Sequence, residues 1–228
     1  MTPTTFWRQP ETWLFDLDNT LYPATCRLFD QIDKRMTRFI ADYLQIDDAA
    51  ANAMRRDLWA EHGTTLNGLM LRYRMAPQAF LDYVHDVDLA GMDAAPDLDR
   101  ALTRLPGRKL VFTNGSFRHA ERILEKLGIA HHFEAVHDIV AAQFVPKPQD
   151  ATYTDVVKRY GLKPELTAMV EDSPQNLPPA ARLGMTTVWV RHAESHHPGD
   201  HEPHIHHTTS DLAAWLDSLP HGNAAQGL

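Results

Sequence analysis

The run Trp13-Leu14-Phe15-Asp16-Leu17-Asp18-Asn19-Thr20 constrains this chain most, because an apolar strand must break where carboxylates stand at i and i+2. From the end of such a strand both acids reach one metal ion or one substrate. Asp16 and Asp18 are therefore a candidate catalytic pair. Three more polar clusters follow, Thr113-Asn114-Gly115, Pro146-Lys147-Pro148 and Glu171-Asp172-Ser173.

What lies between the clusters fixes the fold class. Leu28, Ile32, Met36, Phe39, Ile40 and Tyr43 are spaced as one helical face, and further helical stretches follow over 47–61, 66–74 and 77–87, broken at Gly63 and Pro77. From about residue 96 the pattern becomes an alternation. A strand is predicted over 109–113, a helix over 116–127 closed by Gly128, a strand over 134–137 and a helix near 150–160. A strand over 166–171, a helix over 175–183 ending at Gly184 and a strand over 186–190 complete it. Short apolar strands alternating with helices predict an α/β fold, a parallel sheet covered by helices on both faces. Ligands of such sheets bind outside the carboxyl ends of the strands, where Asp16, Thr113 and Asp172 all fall.

Composition narrows the classes of function. The chain has 228 residues, 43% of them hydrophobic, enough for one core and a small accessory domain. Its formal charge of −8 argues against a polymeric nucleic-acid partner, which requires clustered Lys and Arg. No apolar run is long enough to span a membrane, and the N-terminus lacks a signal-peptide pattern. Cys26 is the sole cysteine and has no internal partner. A cytoplasmic protein is expected, one that holds any anionic substrate by local charge.

The clusters match the needs of phosphoryl transfer. A strand-end carboxylate can attack phosphorus and become an aspartyl phosphate, the role expected of Asp16. Asp18 can protonate the leaving oxygen and later deprotonate water, provided its neighbours raise its pKa. Asp16, Glu171 and Asp172 make an oxygen-rich site suited to Mg²⁺ rather than to zinc. Thr113, Asn114 and Lys147 offer a hydroxyl, an amide and a fixed cation to the phosphoryl group.

This set resembles the haloacid dehalogenase-like (HAD) hydrolase superfamily, whose four motifs appear in order as Asp16-Leu17-Asp18-Asn19-Thr20, Thr113-Asn114, Lys147 and Glu171-Asp172-Ser173 with Asn176 following. The resemblance implies a Rossmann-like core over 1–22 and 96–228 and an inserted α-helical, C1-type cap over 23–95, with pivots near Pro23 and Gly91. It also implies that Asp16 is the nucleophile, Asp18 the acid/base that ligates metal through its carbonyl, and Thr113 and Asn114 phosphoryl binders. Lys147 would neutralise charge, Asp172 ligate metal and Glu171 act through a water. The stretches Phe15-Asp16-Leu17-Asp18-Asn19-Thr20-Leu21-Tyr22-Pro23, Gly63-Thr64-Thr65-Leu66 and Val84-His85-Asp86 resemble the pyrimidine 5′-nucleotidase branch, whose members hydrolyse nucleoside monophosphates such as UMP and CMP.

His62, Thr64 and Thr65 are then candidate substrate contacts in the cap, although His62 stands where that branch often has Tyr. The alternatives are a HAD phosphatase or phosphomutase for another small phosphomonoester, such as a sugar phosphate or phosphoglycolate. A non-enzymatic phospho-receiver or binding protein is disfavoured by Asp18, which would shorten the life of any phosphorylated Asp16. Half of the fourteen histidines fall in 192–207, dense enough to bind Zn²⁺ or Ni²⁺ adventitiously. The bland expectation there is an edge strand over 204–209 before a helix capped by Ser210.

Overall fold

In the computed structural model, residues 9–192 and 202–220 are described. The six strands β1 (Thr12–Phe15), β2 (Arg108–Phe112), β3 (Ala135–His137), β4 (Thr167–Glu171), β5 (Thr186–Val190) and β6 (His207–Thr209) form one sheet. All neighbours are parallel and the order is β3-β2-β1-β4-β5-β6. This is the Rossmann-like order, in which the winding reverses beside β1. Phe15 pairs with Val111 on one side and Val170 on the other, which sets Asp16 level with Phe112 and Glu171.

Between β1 and the return to the sheet stand α1 (Leu28–Leu44), α2 (Asp48–His62), α3 (Thr65–Tyr73) and α4 (Pro77–Val84). The helices α5 (Pro96–Arg104), α6 (Phe117–Leu127), α7 (Asp150–Tyr160), α8 (Leu177–Arg182) and α9 (Leu212–Ser218) belong to the alternating part. Successive strand side chains point to opposite faces, so each strand serves two cores. Trp13, Phe15, Val111, Val170 and Val188 pack with residues of α5, α6 and α9. Leu14, Leu110, Phe112, Met169 and Trp189 pack with residues of α7 and α8. Burial on both faces explains why the strands are continuously apolar.

The helical insertion has its own core, built on Ile40, Leu58, Leu69, Phe80, Leu81 and Val84, and Ile139 of the sheet region joins it. Local signals set its boundaries. Asp47 and Thr64 accept hydrogen bonds from Ala50 and Asn67 as N-caps, and Pro77 opens α4. Tyr43, placed by its spacing on the apolar face of α1, is 46% exposed and stacks on Phe39 instead. The predicted helix over 77–87 stops at Val84, because the next residues are held by other partners described below.

The C-terminal expectations need two corrections. The last strand covers only His207–Thr209, since His204 and His206 are engaged sideways by Thr187, whose Oγ1 donates to the His204 carbonyl at 2.5 Å. The cap of α9 is Asp211, not Ser210, because the Asp211 carboxylate accepts the Ala214 N–H at 3.0 Å.

Gly107 enters β2 at φ +93°, and a Cβ there would lie 2.7 Å from the Glu11 carbonyl oxygen, the atom that accepts the Arg108 N–H. Gly107→Ala is expected to cost roughly 1–3 kcal/mol from backbone strain and overlap. Chemical denaturation should show that loss, whereas Gly91→Ala, with open space around its Cβ, should stay near wild type.

Candidate active site

The centre of the site is Lys147. Its ammonium, 1% exposed, donates to Asp16 Oδ1 at 2.7 Å, to Glu171 Oε2 at 2.7 Å and to the Phe112 carbonyl at 2.8 Å. It thereby ties together the ends of β1, β2 and β4. Burial alone would discharge the lysine, but Asp16 and Glu171 hold its pKa above the usual value.

Asn114 fixes the segment that carries it. The Asn114 carboxamide oxygen accepts the Lys147 N–H at 2.8 Å and its nitrogen donates to the Lys147 carbonyl at 3.2 Å. That side chain is therefore engaged in locking Lys147. Thr113 Oγ1 accepts the Gly115 N–H at 2.9 Å, which leaves the hydroxyl hydrogen free to donate.

Glu171 accepts from three donors. Besides Lys147, Asn176 Nδ2 reaches its Oε1 at 2.9 Å and the Ser173 N–H at 3.3 Å. Asp172 differs, because no hydrogen bond or ion pair reaches its carboxylate among the described residues, although its own carbonyl accepts from Trp189. Burial, Glu171 and Asp16 together push its pKa up to about 9. Asp16, which also accepts from Thr20 at 3.0 Å, is raised to about 7 by burial and Glu171 against the pull of Lys147.

Carboxylate oxygens of Asp16, Glu171 and Asp172 lie within 4.8 Å of one another. Such a set, all oxygen and short of positive charge, is what a hard divalent cation requires. The acidic cluster fits a metal ion.

Asp18 departs from its expected chemistry. Its Oδ1 accepts from Tyr22 OH at 2.6 Å and from His119 Nε2 at 2.8 Å. Burial raises its pKa, but His119, Tyr22 and His85 outweigh that and hold it at about 2, so the neighbours lower the value that was expected to rise. Tyr22 is driven far above the usual tyrosine value by burial and by Asp18, and so remains a donor.

His119 was missed in the sequence, where the only signal is a histidine on the apolar face of α6 beside Ala120, Ile123 and Leu127. It follows Gly115, whose missing Cβ makes room for it. A Cβ at Gly115 would lie 3.1 Å from His119 Cδ2.

A cavity of about 470 Å³ lies above these groups. Its floor includes Asp16, Asp18, Thr113, Lys147 and Asp172, and its roof comes from the insertion through Phe29, Arg55, Trp59, Leu66 and Phe80. Thr64 and Thr65 line it, but His62 does not. Thr64 caps α3, and the Thr65 hydroxyl donates to the Arg55 carbonyl at 3.3 Å. Arg72 of α3 pairs with Glu61.

Much of the histidine-rich segment lies outside the described residues. Of its described members, His192 meets the Asn19 carbonyl at 2.6 Å and His204 pairs with Glu202 at 3.0 Å. The described histidines of 192–207 join no group of three metal-capable side chains. Such a group does form elsewhere, at Asp99, His131 and His132.

Residues 11–184 match the haloacid dehalogenase-like hydrolases. The chain belongs to that family. Among curated relatives, a glyceraldehyde 3-phosphate phosphatase of Methanopyrus kandleri is 28% identical over 197 residues, covering 78% of this chain and 82% of its own. Phosphate metabolism protein 8 of Saccharomyces cerevisiae is 26% identical over 194 residues, and the match spans 78% of this chain but 60% of the yeast protein.

Solved HAD structures share the fold. A HAD phosphatase from Thermococcus onnurineus superposes with a TM-score of 0.61 at 17% identity, covering 91% of this chain and 96% of its own. A magnesium-bound HAD-hydrolase from Bacillus subtilis gives 0.58 at 16%, covering 92% and 98%. No helix among the described residues is long and apolar enough to cross a membrane.

Because folding raises the pKa of Asp16 and Asp172 above 3.8, the folded state holds more protons than the unfolded one between about pH 4 and 9. Stability contributed by these groups is present at the low end of that window and is lost as pH rises through it. With a chelator present, Tm should fall between pH 5 and pH 9. A divalent cation, which binds the ionised carboxylates, should abolish much of the fall and release protons on binding. A chelator profile that rises over this range would contradict the assignment.

Proposed function

We propose that this protein is a Mg²⁺-dependent phosphomonoester hydrolase acting through an aspartyl phosphate on Asp16, with pyrimidine nucleoside 5′-monophosphates as its substrate class. The observation that carries the reaction is the buried Lys147–Asp16 contact at 2.7 Å beside the uncompensated carboxylate of Asp172. In this reading residues 23–95 are a C1-type cap on a core formed by 1–22 and 96–228. Mg²⁺ would be held by Asp16 and Asp172 with the Asp18 carbonyl, and by Glu171 through a water. When bound it supplies the charge that neutralises phosphate and aligns it.

The side chains divide the remaining work. Lys147 and the Thr113 hydroxyl hold phosphoryl oxygens, and an Asp16 oxygen attacks phosphorus as the bond to the ester oxygen breaks. Asp18 delivers a proton to that leaving oxygen. Water then attacks phosphorus, its proton passes to Asp18, and the bond to Asp16 breaks to release phosphate. The low pKa of Asp18 belongs to the protein before substrate enters. A phosphate dianion beside it raises that value by like-charge repulsion, and Asp18 takes from solvent, as substrate binds, the proton that it delivers.

The cavity supports an organic group with an aromatic face. Trp59 and Phe29, 54% and 40% exposed, are large apolar side chains that line it and offer stacking surface to a base. Arg55, Arg56 and Thr64 add polar contacts around that surface. A second reading, a small sugar phosphate, is favoured by the Methanopyrus relative, named for glyceraldehyde 3-phosphate.

Phosphate release from UMP, CMP, glyceraldehyde 3-phosphate and phosphoglycolate, with Mg²⁺ or chelator, distinguishes the readings. The expected result is Mg²⁺-dependent release favouring UMP and CMP, reduced at least about 10³-fold in Asp16→Asn. Preference for glyceraldehyde 3-phosphate would move the assignment to the second reading, and turnover retained in Asp16→Asn would overturn the mechanism.

A further inference from the structure

The return of the helical insertion to the sheet is fastened to α6, the helix that carries His119. Arg122 Nη1 donates to the His85 carbonyl at 3.0 Å and Nη2 to the Val87 carbonyl at 2.8 Å. His85 Nδ1 lies 3.0 Å from the hydroxyl of Ser116, the residue that caps α6. The His85 ring then stacks on His119, centroids 4.3 Å apart and planes 18° from parallel. A contiguous set of contacts therefore runs from the end of α4 through His85 and His119 to Asp18.

The chemistry at Asp18 shows what this contact is for. A carboxyl group that delivers a proton must present its protonated oxygen in a fixed direction, and free rotation about χ2 would exchange the two. Here Tyr22 and His119 both donate to Oδ1. Asp18 Oδ2 accepts no hydrogen bond from the described residues. Two donors on one oxygen pin the carboxylate plane and leave Oδ2 as the oxygen available to a substrate. His119 is held in turn by burial, its side chain 1% exposed, by the space at Gly115 and by the ring of His85 above it.

We propose that His119, with Tyr22, is a positioning residue that reserves Asp18 Oδ2 for proton delivery, and that His85 makes this alignment depend on the seating of the helical insertion. The inference rests on the phosphatase reading above and adds residues that its core motifs do not include. Asp18 transfers its proton from Oδ2 to the ester oxygen while the phosphorus–oxygen bond breaks and Asp16 takes the phosphoryl group. His119 transfers nothing and touches no substrate.

A poorly aligned acid harms only substrates that need it. An alkyl phosphate expels an alkoxide, which requires a proton, whereas p-nitrophenyl phosphate expels a stable phenolate, which does not. The comparison uses kcat/KM, because that ratio reports formation of the phosphoenzyme whichever later step limits turnover.

His119→Ala is expected to lower kcat/KM for glycerol 3-phosphate or UMP by about 10²-fold and for p-nitrophenyl phosphate by less than about tenfold. His119→Gln, which restores an N–H donor, should recover much of the alkyl activity. Tyr22→Phe, which removes only the other donor's hydroxyl, should show the same selectivity if His119→Ala fails to fold. His85→Ala should show it at smaller amplitude.

Equal losses on both esters, or no loss on either, would overturn the positioning role while leaving the phosphatase reading intact. An unchanged His85→Ala would overturn the dependence on the insertion. Failure of the wild-type protein to hydrolyse either class would overturn the phosphatase reading itself, and this inference with it.

Discussion

The site depends on one buried ammonium. Lys147 lies where three strand ends converge, and three carboxyl side chains, those of Asp16, Glu171 and Asp172, come together beside it. Without a cation these groups would repel one another in a medium that solvates charge poorly. Glu171 is satisfied by Lys147, Asn176 and Ser173, and Asp16 by Lys147 and Thr20. Asp172 is left over. The protein sets one ammonium against three carboxyl groups, and Asp172 is the one that no donor among the described residues reaches. A cluster of this kind has the oxygen donors and the charge to hold a divalent cation.

The parallel sheet makes the convergence possible. Asp16 and Glu171 lie far apart in the chain, yet the register of β1 against β4 sets them at one level, and Asn114, just past the end of β2, holds the Lys147 segment beside them. Because side chains alternate, the residues just before each site group pack into cores on opposite faces, so neither strand can slide without moving apolar residues into polar surroundings. The precision of the site is inherited from the packing of Leu14 and Phe15, which touch no substrate.

Those features were legible because each has a local signature. Continuous apolar runs of four or five residues announce buried parallel strands, Gly128 ends α6 through its left-handed backbone, and Ser116 begins it through its capping hydroxyl. Asp16, Asp18, Thr113, Lys147 and Asp172 could be picked out because polar residues at the ends of such runs face a crevice. His119 had no comparable mark. On a helix wheel it occupies a core position, and only the distance to Asp18, 101 residues earlier, reveals its purpose. The low proton affinity of Asp18 was misjudged for the same reason, since the donors that cause it come from β1's own loop and from α6 together. Asn114 lines the cavity, but its side chain partners the backbone of Lys147, a tertiary fact that spacing does not contain.

The helical insertion follows a different logic from the core. In the proposed reading its floor-facing side chains would meet the leaving group, whereas the groups beneath them would meet the phosphoryl group. Chemistry and selectivity would, in that reading, sit on separate elements, joined by chain segments near residues 22–27 and 85–95. Such a division gains selectivity only if the reacting groups respond to what the roof has bound; otherwise any phosphate reaching Asp16 would be attacked, water included as acceptor. Arg122, His85 and His119 form a physical route for that response, because they join the insertion's return segment to the side chain that handles the proton. The hydrogen bonds along it are partly buried, and a displacement at the end of α4 large enough to unstack His85 would remove support from His119, which bonds to neither Lys147 nor Asp16. Selectivity would then enter at the proton transfer and leave the nucleophile untouched.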